Sequence, residues 1–81
     1  MVRVVFFAQA SAVVGSRELL WPVGEDGAGA SDFWSWLEAR AAGAAQLRGV
    51  CRLARNFSYL NDGERICPGD ELAVLPPVSG G

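Results

Sequence analysis

Apolar residues recur at every second position from Val2 to Ala8. Val2, Val4, Phe6 and Ala8 fall on one side of an extended chain, and Arg3, Val5 and Phe7 on the other. This predicts a strand with apolar groups on both faces. Gln9 to Val14 predicts a short helical link that stops at Gly15. Arg17 to Val23 predicts a second strand, antiparallel to the first because the connection is short. Pro22 cannot donate to a ladder and marks a sheet edge or a strand end. Gly24 to Ala30 has the composition of a flexible loop, the least specified stretch of the chain.

Ser31 has the character of a helix N-cap, and Asp32 sits favourably at the positive end of the helix dipole. At the helical period Phe33, Trp36, Leu37, Ala41 and Ala44 share one side, with Trp34 beside them. Asp32, Ser35, Glu38 and Ala39 lie opposite. The spacing predicts an amphipathic helix that stops near Gly43, with the tryptophans packed in the core rather than forming a ligand box. Arg40 falls inside the apolar arc, so its stem should pack while its head reaches water.

Val50 to Asn56 predicts a third strand, Phe57 to Leu60 a short extension, and Asn61 to Glu64 a turn. Pro68-Gly69-Asp70 is a second turn, launching a last strand over Glu71 to Leu75. Leu72 and Val74 point one way in it, Ala73 and Leu75 the other. One main helix then covers one face of a mixed sheet of about five strands, with the first and last strands adjacent and parallel. The expected class is α+β with β-grasp (ubiquitin-like) architecture, a domain over residues 1–75 and an extended tail over 76–81. One helix covers one face only. Val5, Phe7 and Leu75 on the second face therefore need a partner.

Composition sharpens the chemistry by subtraction. The chain has 81 residues, 51% of them hydrophobic, and no His, Lys or Thr. Imidazole bases, Schiff-base lysines and imidazole metal sites are excluded. Seven Arg against nine acidic residues give a net charge of −2, which argues against a nucleic-acid backbone as partner. Arg48, Arg52, Arg55 and Arg65 are expected to solvate the sheet rather than form a binding patch. No apolar run is long enough for a membrane span. Cys51 and Cys67, without a CxxC pattern, read as reduced small hydrophobes, and the chain reads as cytoplasmic.

The last six residues carry the candidate chemistry. Pro76-Pro77 favours an extended segment, and Gly80-Gly81 can enter a channel only as wide as a backbone. Six extended residues reach roughly 20 Å at most. The carboxylate of Gly81 becomes an acyl donor once another enzyme activates it.

Through Val5-Phe6-Phe7-Ala8, Ala54-Arg55-Asn56, Pro68-Gly69-Asp70-Glu71 and, most specifically, Leu75-Pro76-Pro77-Val78-Ser79-Gly80-Gly81, the chain resembles the MoaD/ThiS family of ubiquitin-like sulfur carriers, on its molybdopterin synthase side. Many members carry an Arg-Glu pair where this chain has Ser11-Ala12. The resemblance implies a non-catalytic carrier that binds no cofactor itself. An E1-like adenylating enzyme spends ATP on the Gly81 carboxylate, and sulfur, with a sulfurtransferase as its source, replaces AMP to give a thiocarboxylate. Pro76, Pro77, Val78, Ser79 and Gly80 then lie in a channel of the large synthase subunit, while Val5, Phe7 and Leu75 meet its surface. There the sulfur passes to cyclic pyranopterin monophosphate on the way to molybdopterin, in a heterotetramer of two carriers and two large subunits. Sulfur carriage for thiamine thiazole or tRNA thiolation, and ubiquitin-like protein modification, are the alternatives the resemblance leaves open.

Overall fold

The computed structural model describes residues 1–77, and the five strands fall inside the segments expected from the alternation. They are β1 (Val2–Phe6), β2 (Glu18–Trp21), β3 (Arg52–Arg55), β4 (Ser58–Tyr59) and β5 (Glu71–Leu75). The helices are α1 (Gln9–Val14), α2 (Ala30–Arg40) and α3 (Ala44–Arg48). The sheet order is β2-β1-β5-β3-β4, so the first and last strands are neighbours at its centre. They pair in parallel, with Val4 opposite Leu72 and Val5 opposite Ala73, and the other pairings are antiparallel. This is β-grasp architecture.

Period two decides which side is core. Val2, Val4, Phe6, Leu72 and Val74 are all buried on one face of the sheet. Residues from all three helices, Ala10, Phe33, Leu37, Ala44 and Leu47 among them, join the same buried cluster. Phe33 is its centre. Its ring meets Trp21 at 5.3 Å and Trp34 at 5.1 Å, both edge to face, and Trp36 at 6.1 Å between centroids. The tryptophans are packing residues, as expected. The Arg40 guanidinium lies 4.8 Å from the Trp36 ring centroid, which keeps its head exposed and its stem against the cluster.

The helical region differs from the expectation in two ways. Gly29, not Ser31, is the N-cap of α2, because Asp32 Oδ2 accepts the Gly29 N–H at 2.9 Å from the third helical position. Ser31 lies within the first turn and its hydroxyl accepts from Arg48 Nη2 at 2.8 Å. The helix also stops at Arg40 rather than near Gly43, since Ala41 is extended at φ −134° and ψ 119°. The break lets the chain turn back into α3, which brings Ala44 and Leu47 into the core as a separate element. At the start of α3 a Cβ on Gly43 would stand 2.5 Å from Val13 Cγ1, so only glycine permits that approach of α3 to α1.

The Gly24–Ala30 loop is better fixed than its composition suggests. Ala28 and Ile66 exchange backbone hydrogen bonds at 2.9 and 2.8 Å. Gly27 lies at φ 78°, where a Cβ would come within 2.8 Å of the Ile66 carbonyl oxygen. A compositional reading sees the glycines but not the strand-like bridge that requires one of them.

Candidate functional site

The residues expected at the site divide at Pro77. Pro76 and Pro77 leave the end of β5, half-buried and exposed respectively, whereas Val78, Ser79, Gly80 and Gly81 lie outside the described residues. β5 is held on both sides, by β1 and by β3, so the described part of the tail issues from the middle of the sheet.

The open face of the sheet runs up to that exit. One row of small or apolar residues crosses four strands, Val5 opposite Ala73, Ala73 opposite Ala54, and Ala54 opposite Tyr59. The alanines make the floor of a shallow groove of about 320 Å³, with Phe7 and Leu75 at one end and Tyr59 and Phe57 at the other. Phe7 is 48% exposed, Tyr59 59% and Phe57 91%. Val5 and Leu75 are half-buried. The structure thus brings Phe7 and Leu75 together on one apolar surface, with Val5 in the adjoining row.

Tyr59, Phe57, Ala54 and Ala73 complete this surface and were not among the residues singled out from the sequence. Ala54 and Ala73 give no hydropathy signal as a pair, since only the strand register makes them neighbours. Phe57 differs from expectation because it is not in a strand. Asn56 and Phe57 form a two-residue hairpin connection with φ of 50° and 71°. Positive φ at both positions is the type I′ requirement, usually met by Asn-Gly, and a Cβ-bearing residue there costs on the order of 1–2 kcal/mol.

Charges border the groove. Arg3 bridges Glu18 at 3.0 Å and Glu71 at 2.7 Å, which holds its guanidinium protonated above the usual arginine range. These are exposed pairs and add little stability. Of the four arginines expected to be solvated, three are engaged within the chain. Arg48 meets Glu38 at 3.3 Å and Arg55 meets Glu64 at 3.1 Å. Arg55 also donates to the Arg65 carbonyl, and Arg65 donates to the Gly27 carbonyl at 3.0 Å. Arg52 instead lies 4.7 Å from the Tyr59 ring centroid and has no carboxylate partner among the described residues.

Two of the motifs quoted above meet in space. Asn56 Nδ2 donates to Asp70 Oδ1 at 3.0 Å, and the Glu71 N–H donates to Asn56 Oδ1 at 2.9 Å. The Cys67 N–H donates to Asp70 Oδ2 at 2.8 Å. The junction ties the hairpin to the turn before β5 and fixes where that strand begins. The Cys67 amide, then the Asn56 side chain, and more weakly the Arg55 charge, hold the Asp70 carboxyl below its ordinary value. A depressed carboxylate pKa adds stability above the unfolded-state value near 3.9, and that contribution is lost as pH falls through the lower folded-state value. Asp70→Asn should therefore lower stability by about 1 kcal/mol at neutral pH. Urea midpoints of variant and parent should converge as pH drops below that range. An unchanging gap would show that the carboxylate charge is not what the junction uses.

Among the described residues no group of His, Cys, Asp and Glu is placed to hold a metal ion, and no helix is long and apolar enough to cross a membrane. Cys51 and Cys67 are free and half-buried, and burial raises the Cys51 thiol pKa.

The chain is 34% identical over 83 residues to the molybdopterin synthase sulfur carrier subunit of Homo sapiens, covering 99% of this chain and 93% of that protein. It is 33% identical over 82 residues to the protein of the same name from Chlamydomonas reinhardtii, covering 99% and 98%. The crystal structure of SAMP1, small archaeal modifier protein 1, from Haloferax volcanii superposes with a TM-score of 0.80 at 30% identity, covering 99% of this chain and 98% of that one. The family model described as ThiS family matches residues 4–81, so the strand, the groove and the tail all lie within the match, and the chain belongs to the ThiS family.

Proposed function

We propose that this chain is a sulfur carrier of molybdopterin synthesis, the small partner of a large synthase subunit. The observation that carries the reading is the near full-length similarity to two proteins named as sulfur carrier subunits of that synthase. The geometry supports it, because a central strand delivers Pro76-Pro77 beside an apolar groove. That arrangement suits a tail that enters another protein while the sheet docks against it.

The chemistry follows from what the chain lacks. With no His or Lys it offers almost no acid or base of its own. The Gly81 carboxylate attacks the α-phosphorus of ATP in an activating enzyme, giving an acyl-adenylate and releasing pyrophosphate. Hydrosulfide, released from a sulfurtransferase persulfide by a thiol reductant that is oxidised to the disulfide, attacks the acyl carbon; the C–S bond forms as the C–O bond to AMP breaks, leaving a thiocarboxylate. Tethering this soft nucleophile at the end of a docked tail raises its local concentration at the acceptor. In the large subunit it transfers sulfur to cyclic pyranopterin monophosphate, and the carrier returns as a carboxylate. Docking is assigned to the open face, through Val5, Phe7 and Leu75.

The test is direct. Incubation with ATP, activating enzyme and sulfur source should raise the intact mass by the exchange of one oxygen for one sulfur. The charged chain, mixed with the large subunit and the cyclic pyranopterin, should then yield the dithiolene product. An unchanged mass sinks the carrier reading, and a charged chain that supports thiazole synthesis or tRNA thiolation instead of dithiolene formation redirects it.

A second reading has its own support in the likeness to SAMP1, a protein named as a modifier. It predicts Gly81 joined to lysines of other proteins. Such adducts, accumulating where no dithiolene forms, would favour it. Without lysine, this chain cannot be the acceptor of its own isopeptide chains.

A further inference from the structure

Two features of the open face are unfavourable in the isolated chain. Phe57 holds φ 71° in a turn that a glycine would take without strain, and it leaves its ring 91% exposed. A bulky residue at positive φ is an outlier, and a large apolar side chain in water forgoes its burial. The hydrogen bonds that fix the hairpin are made by its neighbours and not by Phe57: the Asn56 side chain bonds Asp70 and the Glu71 N–H, the Asn56 N–H donates to the Glu71 carbonyl at 2.8 Å, and the Leu60 N–H donates to the Leu53 carbonyl at 2.9 Å. On the same face, from a position opposite Leu75, Arg52 stacks over Tyr59 without a carboxylate among the described residues, although Arg3, Arg48 and Arg55 each have one.

We infer that Phe57 is an anchor gripped by the protein that receives the tail, and that Arg52 meets a carboxylate of that protein. This rests on the sulfur-carrier reading above and extends it to the far end of the groove. The groove follows β5 from Leu75, where the chain leaves for its tail, to Phe57 near Glu71. That distance is roughly 13 Å for a strand of this length. A protein enclosing the tail stands against Leu75, and a stable interface covers about 800 Å² per partner. Such a footprint extends past the length of the strand and takes in the hairpin tip. An exposed aromatic at the edge of an apolar trough is the kind of group that carries a large share of interface energy. Its partner surface is an apolar ridge with an acidic side chain opposite Arg52.

Phe57→Gly separates this role from a structural one, because the two move in opposite directions. Relief of the positive φ should raise the melting temperature of the free chain by roughly 4–8 °C. Affinity for the large synthase subunit, measured by calorimetric titration of the full chain, should fall by roughly tenfold to thirtyfold. Phe7→Glu, in the same groove, should also lose binding. Arg52→Gln should weaken the dependence of affinity on salt, since an exposed ion pair is screened. Unchanged affinity in Phe57→Gly, or unchanged salt dependence in Arg52→Gln, overturns the assignment while leaving the carrier reading in place. Failure of the unaltered chain to bind the large subunit overturns both.

Discussion

A chain lacking Gly81 is expected to fold as the full chain does and to lose sulfur transfer almost completely. The buried cluster lies between Val2 and Val74, so removal of the last glycine takes nothing from it. The shortened chain still ends in a glycine carboxylate, that of Gly80, and keeps the chemistry in kind. What changes is reach. One residue of extended chain is about 3.5 Å, and a misplacement of about 1 Å at a reacting centre already costs on the order of a hundredfold in rate. Transfer to the cyclic pyranopterin should therefore fall by at least about a hundredfold, with an unchanged thermal melt and undiminished binding to the large subunit through the sheet face. A deletion variant that unfolds would show the tail to be structural. One that transfers sulfur at the parental rate would show that the reach supplied by the last residue is not what transfer depends on.

Phe33→Ala is the corresponding prediction for the fold. Phe33 is fully buried and touches three tryptophan rings, so its removal leaves a cavity that rigid indoles are slow to fill. Truncations of this kind cost about 3–5 kcal/mol. A domain of this size has a total stability of roughly 4–12 kcal/mol. The variant should be largely unfolded or close to it at 37 °C, and its urea midpoint should collapse. A loss below about 1 kcal/mol would mean that the tryptophans repack freely, and that the aromatic cluster is looser than its edge-to-face geometry implies.

Legibility in the sequence followed the strength of the local signal. Strands with clean alternation, Val2–Phe6 and Glu71–Leu75, were assigned to the correct faces because period two leaves little choice once one face is apolar. The parallel contact between them followed from the order of elements. The break after Arg40 was not legible, since the Ala41-Ala42-Gly43-Ala44 run carries no polar contrast to show where one helix stops and the next begins. Ser31 was a plausible cap by residue type, but Asp32 satisfies the Gly29 amide from inside the helix. At the site, Phe7 and Leu75 were visible as apolar residues on the wrong face for the core. The trough floored by Ala54 and Ala73 was not, because a groove made by small residues is a property of register rather than of hydropathy. The pairing of Asn56 with Asp70 joins segments fourteen residues apart and needed the folded hairpin to bring it out.

The position of β5 has a mechanical consequence. If the tail is drawn into a channel and released, as in the function proposed above, the pull falls on the strand from which it grows. An edge strand would peel away from its single neighbour one hydrogen bond at a time. β5 is bonded to β1 along one side and to β3 along the other, so a pull along its axis loads both ladders in shear and all their rungs together. Openings that break central strands require nearly the whole unfolding free energy, whereas edges fray at little cost. In the proposed cycle the domain would then act as a fixed handle for its own tail, staying folded as the tail is withdrawn.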